Sequence, residues 1–430
     1  MVYDRYFEHG ELKMAVSTAQ NAVRKGGKPS RDNVLWMLQL GVAERLEGRF
    51  EQSTQWFDKA EELMQYYAVD WGKAANWTAA TAINDNIIPY KGTIYDGVMV
   101  NTYKAANFMQ AGRMDVARVE FNRALDRQRR AKEDFAAQIA ARRDAINKHK
   151  NIENASRSIE NADFKAKLEQ AYPTLYNFEA YPDFVNPFTT YLAGAYFAAI
   201  GDYARAVDLV KEAAGMLPDN TAVWGDFNEL EGVLSSPHAT LKPTVWVFYE
   251  NGLGPVKEEF RIDLPLFIAT DQVYYYGIAL PRLAFRGAAG TLTITADGQT
   301  VRPELLADMD RVVQTEFKQE YGGIVLRAVA GSIAKAAAQY MLSRSNNNDF
   351  LPIVMALYSA ATTAADVRMW TSLPKTVETA RLAMPANRRL TLTAGQTAPM
   401  TVELGDCRHA IVMVRQITPA AVPTVDVIRF

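Results

Sequence analysis

A single cysteine, Cys407, stands in 430 residues, which excludes an internal disulfide and any multi-cysteine metal site. Histidine is almost as scarce. His9, His149, His238 and His409 are scattered, and none is followed at ligand spacing by another histidine or cysteine, so no zinc pattern is present. Neither sign of charge dominates: 47 basic against 49 acidic residues leave a net charge of -2. That balance removes the bulk electrostatic argument for a nucleic acid or an anionic membrane surface as partner. Long hydrophobic runs are missing too. The most apolar stretch, FLPIVMALYSAATTAA at 350–365, falls short of the roughly 20 residues that span a bilayer and reads as a buried helix. The opening MVYDRYFEHGELKMA has charges where a signal peptide needs an apolar segment of about seven to fifteen residues. The expectation is either a cytosolic protein or one whose targeting segment has been removed.

Catalytic signatures are equally thin. No G-x-S-x-G elbow and no G-x-x-x-x-G-K-[ST] loop occurs. In YENGLGPVKEEF (249–260), Gly252 and Gly254 lead into Pro255 and a strand-like run rather than a helix N-terminus, so no phosphate cradle forms. The expectation is a turn between two strands, with Asn251 and Gly252 tolerating positive φ. Cys407 and His409 are two apart on a strand, which fits a buried core cysteine better than a nucleophile and its base. Asp308 and Asp310 fall on a predicted helix, on diverging faces, and give no paired-carboxylate mechanism. No catalytic residue, cofactor or metal is therefore assigned.

What the chain does contain is a repeat. A glycine followed by small and bulky residues at helical spacing recurs as HGELKMAVSTAQNA from His9, EGRFEQSTQWFDKA from Glu47, AGRMDVARVEFNRA from Ala111 and IGDYARAVDLVKEA from Ile200. Each reads as the turn and second helix of a tetratricopeptide-type hairpin. Gly10, Gly48, Gly112 and Gly201 would sit at the turns. Ala15, Ser53, Ala117 and Ala206, five positions on, allow close approach of paired helices, and Phe57, Phe121 and Val210 fill the space between hairpins. Leading helices are clearest before the second and fourth copies, where Gly41 and Gly194 stand at the expected distance. The turn glycines are 38, 64 and 89 residues apart, against a repeat of about 34, so further helices must intervene.

The segment 123–150 has nine basic and four acidic residues with no glycine or proline, and reads as a long helix within an insertion spanning about 123–170. It is either a docking arm for an acidic partner or a solvated helix packed on the repeats. AYPTLYNFEAYPDFVNPF (171–188) reads as an ordered loop tucked on the repeat surface.

Past SSPHATLKP the pattern changes to strands: TVWVFYE, EEFRIDLPLF, QVYYYGIALPRLAF, TLTITADGQTVRP, RRLTLTAG, APMTVELG and HAIVMVRQI. Two helices are expected between them, about 303–344 and about 350–370. The fold expected is a helical repeat domain, 1–236, followed by a mixed antiparallel-sheet α+β domain with a helical insertion, 237–430.

The segments YENGLGPVKEE, IALPRL, DMDRVVQTEFKQEYGGIVLRAVAGSIAK and ADVRMWTSLP, behind degenerate repeats, resemble an uncharacterised family of bacterial envelope lipoproteins. The resemblance runs through nearly the whole chain and is most specific from about 243 to 415. It implies a lipid anchor on a cysteine that this chain does not carry, an outer-membrane periplasmic location, and gene neighbours encoding an activator of penicillin-binding proteins. It supplies no catalytic residues.

A non-enzymatic envelope scaffold follows, with protein partners or further copies of the chain held in the concave groove of the repeats. Leu38, Arg45, Thr102, Met109 and Tyr191, on the inward faces of leading helices, are the groove candidates. Two alternatives stay open: a cell-wall-acting enzyme with its site between repeats and sheet, and a cytosolic repeat adaptor.

Overall fold

A computed structural model describes residues 2–24, 32–70, 89–147, 152–176, 186–236, 238–267, 273–345 and 364–430. Twelve helices occupy the first half among these residues: α1 (Val2–Glu8), α2 (Leu12–Arg24), α3 (Asn33–Leu46), α4 (Phe50–Asp70), α5 (Ile94–Gln110), α6 (Met114–Asn147), α7 (Ile152–Glu160), α8 (Ala162–Ala171), α9 (Pro173–Tyr176), α10 (Pro187–Ala199), α11 (Tyr203–Met216) and α12 (Thr221–Leu234). The pairs α1/α2, α3/α4, α5/α6 and α10/α11 are the four hairpins of the repeat.

Each hairpin turns by the same hydrogen-bond device. Gly48 has φ +72°, its N–H donates to the Arg45 carbonyl, and the Arg49 N–H donates to the Glu44 carbonyl. Gly10, Gly112 and Gly201 repeat this geometry, satisfying carbonyls that the helix end would otherwise leave open. Close packing within a hairpin comes from a second glycine. A Cβ on Gly41 would run into the Phe57 ring, and one on Gly194 would lie 2.8 Å from Val210 Cγ2. The bulky residue of each following helix thus rests on bare backbone of the leading one.

The second half holds eleven strands and one long helix among the described residues. A five-stranded sheet runs in the order β11 (Thr424–Arg429), β10 (Ala410–Gln416), β1 (Thr244–Asn251), β7 (Thr376–Ala383), β6 (Glu304–Asp308). It is antiparallel except for β1 and β10, which run parallel with Val245 opposite Ala410. A four-stranded sheet follows the order β5 (Gln299–Val301), β4 (Leu292–Ala296), β8 (Arg389–Ala394), β9 (Met400–Glu403). The hairpin β2 (Val256–Phe267) and β3 (Val273–Ala284) stands apart from both. With α13 (Met309–Ser345) it receives α7 to α9, and Tyr172 marks that contact: its ring lies 4.7 Å from Tyr321 and 6.0 Å from Phe260.

Every residue of β1 is buried, because both faces of its sheet are covered. Trp246, Phe248, Ile411 and Met413 join the core of the helical repeats. Val245, Val247, Tyr249, Val412 and Val414 join Leu292, Ile294, Leu390 and Leu392 of the four-stranded sheet in a second core. The layers are therefore helices, five-stranded sheet, four-stranded sheet.

Several expectations change. The helix expected from about 303 begins at Met309, after β6. Asp308 consequently ends a strand, and only Asp310 is helical. Strands β7 and β11 were not expected either. Charged residues sit among their inward positions, Arg381 in β7 and Asp426 in β11, and their ion pairs with the repeats remove the simple apolar alternation. The helix expected at about 350–370 lies outside the described residues up to 363, and from Ala364 to Trp370 the chain is not helical. Residues 148–150 and 177–185 of the long-helix and loop expectations are likewise outside the description.

The glycine pair of the 249–260 stretch ends β1, but β1 and β2 do not pair with each other. Gly252 has φ +66°, and a Cβ there would lie 2.5 Å from the Gly287 carbonyl oxygen. Asn251 stays in the strand instead of taking positive φ. Its side chain receives the Ala289 N–H at 2.7 Å and donates to the Gly290 carbonyl and Glu378, each at 2.8 Å.

Candidate functional site

The groove lies where α3, α5 and α10 face the five-stranded sheet. Nearly every side chain of these three helices is buried, since their outer sides meet α4, α6 and α11 and their inner sides meet strands. All five groove candidates are inside this joint, and their neighbours are residues of the same chain.

Leu38 and Met109 are core side chains of the repeats. Arg45, 3% exposed, donates to Asn107 Oδ1 at 2.6 Å and to Asp426 Oδ2 of β11 at 3.0 Å, with Met413 Sδ at 3.3 Å. Burial pushes the Asp426 carboxyl up from its ordinary pKa, and the Arg45 charge opposes that. Thr102 and Thr189 share a 2.8 Å hydrogen bond that ties α5 to α10. Tyr191 donates to Asp226 Oδ2 of α12 at 2.6 Å. Trp246 Nε1 of β1 donates to the same oxygen at 2.6 Å, and Arg381 of β7 pairs with both Asp226 and Glu229.

Sequence reasoning named Arg45 and Tyr191 as groove residues but none of the charged and hydroxyl groups that surround them in the joint. Asp226, Asp426, Arg381 and the Tyr103 hydroxyl, which donates to Glu250 Oε2 at 2.7 Å, were missed. A signal existed in the lone charges of two apolar strands, Glu250 in TVWVFYEN and Arg415 in AIVMVRQ, which the parallel register sets opposite each other. Nothing in the sequence says that those strands pair.

A further ionic cluster sits between helices. Lys104 of α5 is buried among Asp58 at 2.8 Å, Glu61 at 2.8 Å and Glu120 at 3.1 Å. Burial raises the Glu61 carboxyl, but the hydrogen bond and charge of Lys104, with Arg127 and Asn101, outweigh it and hold Glu61 at about 2. A buried charge is tolerated here because it is paired and hydrogen-bonded.

The isolated chemical candidates have structural surroundings. His409 Nδ1 accepts the Thr244 N–H at 3.3 Å, and burial followed by the Arg408 charge lowers the ring to about 4. Cys407 contacts the Leu404 carbonyl at 3.5 Å, and burial pushes its thiol up, away from the reactive thiolate. Asp310 pairs with Lys375, and burial raises it to about 6. Among the described residues no group of three or more His, Cys, Asp or Glu is arranged to hold a metal ion, and no helix is long and apolar enough to cross a membrane.

No protein-family model matches the chain, and no curated protein matches it. Among solved structures it is similar to a tetratricopeptide repeat protein from Parabacteroides merdae at 12% identity. That match covers 53% of this chain and 96% of the other, with a TM-score of 0.14. The helical-hairpin assignment rests on the turn and packing geometry of the chain itself.

Proposed function

We propose that the protein is a non-enzymatic scaffold of the bacterial envelope that gathers protein partners, copies of itself among them, on its outward surfaces. The observation that carries this reading is the occupied groove. Arg45 pairs with Asp426 of β11, and Asp226, which takes the Tyr191 hydroxyl, also takes the Trp246 indole N–H of β1, so the repeats and the sheet form one body; in this reading partners meet its outside. Solenoid repeats offer extended surfaces of this kind without requiring chemistry. The envelope location is supported by the sequence resemblance.

One outward site stands at the end of the helical array, where a further repeat would stack. Trp224 of α12 is 37% exposed and Leu305 of β6 is 46% exposed. They flank the junction at which Asn220 Nδ2 donates to the Leu305 carbonyl at 2.8 Å. Large apolar side chains left in water beside a rigid junction suit a protein interface.

A photo-crosslinking residue placed at 224 or 305, in cells carrying the natural gene, tests the proposal. Crosslinks to a second copy or an envelope protein, recovered in the outer-membrane fraction, are expected, with none from the same residue at buried position 102. Recovery as an uncrosslinked soluble monomer overturns it.

A further inference from the structure

The stack of helices runs from the α1–α2 hairpin to α12, and both of its ends keep apolar side chains in water. α2 packs on α1 and α3 and leaves Met14 49% exposed, and Val2 of α1 is exposed as well. α12 packs on α11 and β7. It leaves Leu234 49% exposed, together with Trp224, which stands edge-on to Phe227 with ring centroids 5.7 Å apart. A solenoid end that faces solvent is normally polar, and these side chains depart from that rule.

The two ends also differ in charge. From Leu12 to Arg31 the sequence carries five Lys or Arg and no Asp or Glu, and from Glu212 to Leu241 it carries five Asp or Glu and no Lys or Arg. Asp4 and Glu8 of α1 bind Thr371 and Arg286, which leaves Arg5 and Lys13 exposed with Glu11 of the turn. At the other end Asp226 and Glu229 hold Arg381, which leaves Asp219 and Glu231 exposed.

We propose that copies of this chain stack end to end, the α1–α2 face of one against the α12 face of the next. The inference rests on the partner surface proposed above and names its occupant. Two α12 faces would bring acid against acid, and two α1–α2 faces base against base, so charge selects the unlike pair. Stacking removes Val2, Met14, Trp224 and Leu234 from water. Because the two copies use different patches, the contact continues as a filament or closes as a ring and does not stop at two.

Sedimentation velocity of the purified full chain, over a concentration series at low and high salt, reads the association. Species beyond the dimer are expected at low salt and fewer at high salt. Lys13→Glu and Glu231→Lys, both at exposed positions, are each expected to weaken association at least about tenfold with an unchanged melting temperature. Mixing the two variants pairs the intact α12 face of the first with the intact α1–α2 face of the second, so a heterodimer is expected to form and to grow no further. Association that stops at a dimer, undiminished self-association of either variant alone, no heterodimer on mixing, or a monomer at every concentration overturns the inference. Photo-crosslinks from 224 or 305 to a different envelope protein, with the purified chain monomeric, would remove the self-stacking and leave the partner surface standing.

Discussion

Arg45 and Asp426 are 381 positions apart in the chain and 3.0 Å apart in space. The pair joins the second helical hairpin to the last strand, so the two halves share one buried joint. Removing one partner leaves the other charge in the joint. Arg45→Met is expected to destabilise by about 3 kcal/mol, and Arg45→Met with Asp426→Leu to recover most of that loss. Denaturant unfolding of the four members of the cycle measures it. Additive losses would show that the two charges are not coupled.

Asp226 serves three elements at once, accepting from Tyr191 of α10 and Trp246 of β1 and pairing with Arg381 of β7. Asp226→Ala leaves the buried Tyr191 hydroxyl and Trp246 indole N–H without their acceptor, while Arg381 keeps Glu229, and is expected to cost about 3 kcal/mol. The repeats and the sheet should lose structure in one transition. Tryptophan fluorescence and far-ultraviolet circular dichroism, followed together, check this; separate midpoints for the two signals would contradict the joint.

Glycine substitutions should divide by position. Gly41→Ala drives a methyl into Phe57 and is expected to cost about 1–3 kcal/mol through overpacking. Gly48→Ala meets open space but must hold φ +72°, at about 1–2 kcal/mol. Gly215→Ala, inside α11 with nothing near its Cβ, should stabilise by about 0.5–1 kcal/mol. Thermal midpoints rank the three.

The contact between α13 and the start of α5 should depend on pH. Glu316 accepts the Ile94 N–H at 3.0 Å and the Tyr95 N–H at 3.3 Å. Burial, then the Glu320 charge, raises it from an ordinary 4.5 to about 8, and burial raises neighbouring Asp96 from 3.8 to about 6 against its bond from Tyr90. Tyr95 faces the same acids, and Lys257 lies near enough to lower Asp96. Between the unfolded and folded values the folded state holds more protons, so this contribution to stability falls as pH rises from 4.5 to 8. Glu61, held at about 2, acts oppositely, with stability lost as pH falls from 4.5 towards 2. Glu316→Gln should flatten the decline above 4.5 in a pH series of unfolding midpoints; an unchanged slope would remove Glu316 as its source.

The helical hairpins were legible because their instructions are local. Gly10, Gly48, Gly112 and Gly201 all take the positive φ that their spacing suggested, and Ala15, Ser53, Ala117 and Ala206 are all fully buried. Seven strand segments were legible for the same reason, through their β-branched and aromatic runs. Strands β7 and β11 were hidden because polar residues face inward in them. Arg381 and Asp426 look like surface residues until Asp226 and Arg45 are brought opposite.

By itself, then, the sequence determined the four hairpins, the change to strands after the repeats, and the lack of a multi-cysteine site, all properties of near neighbours along the chain. Only the tertiary structure decided that the groove is filled from within and that Glu250 and Arg415 stand opposite each other in two buried strands. Those outcomes depend on which distant segments meet, here β1 parallel to β10 and α3 against β11. The burial of both sheet faces selects that meeting, and no local periodicity records it.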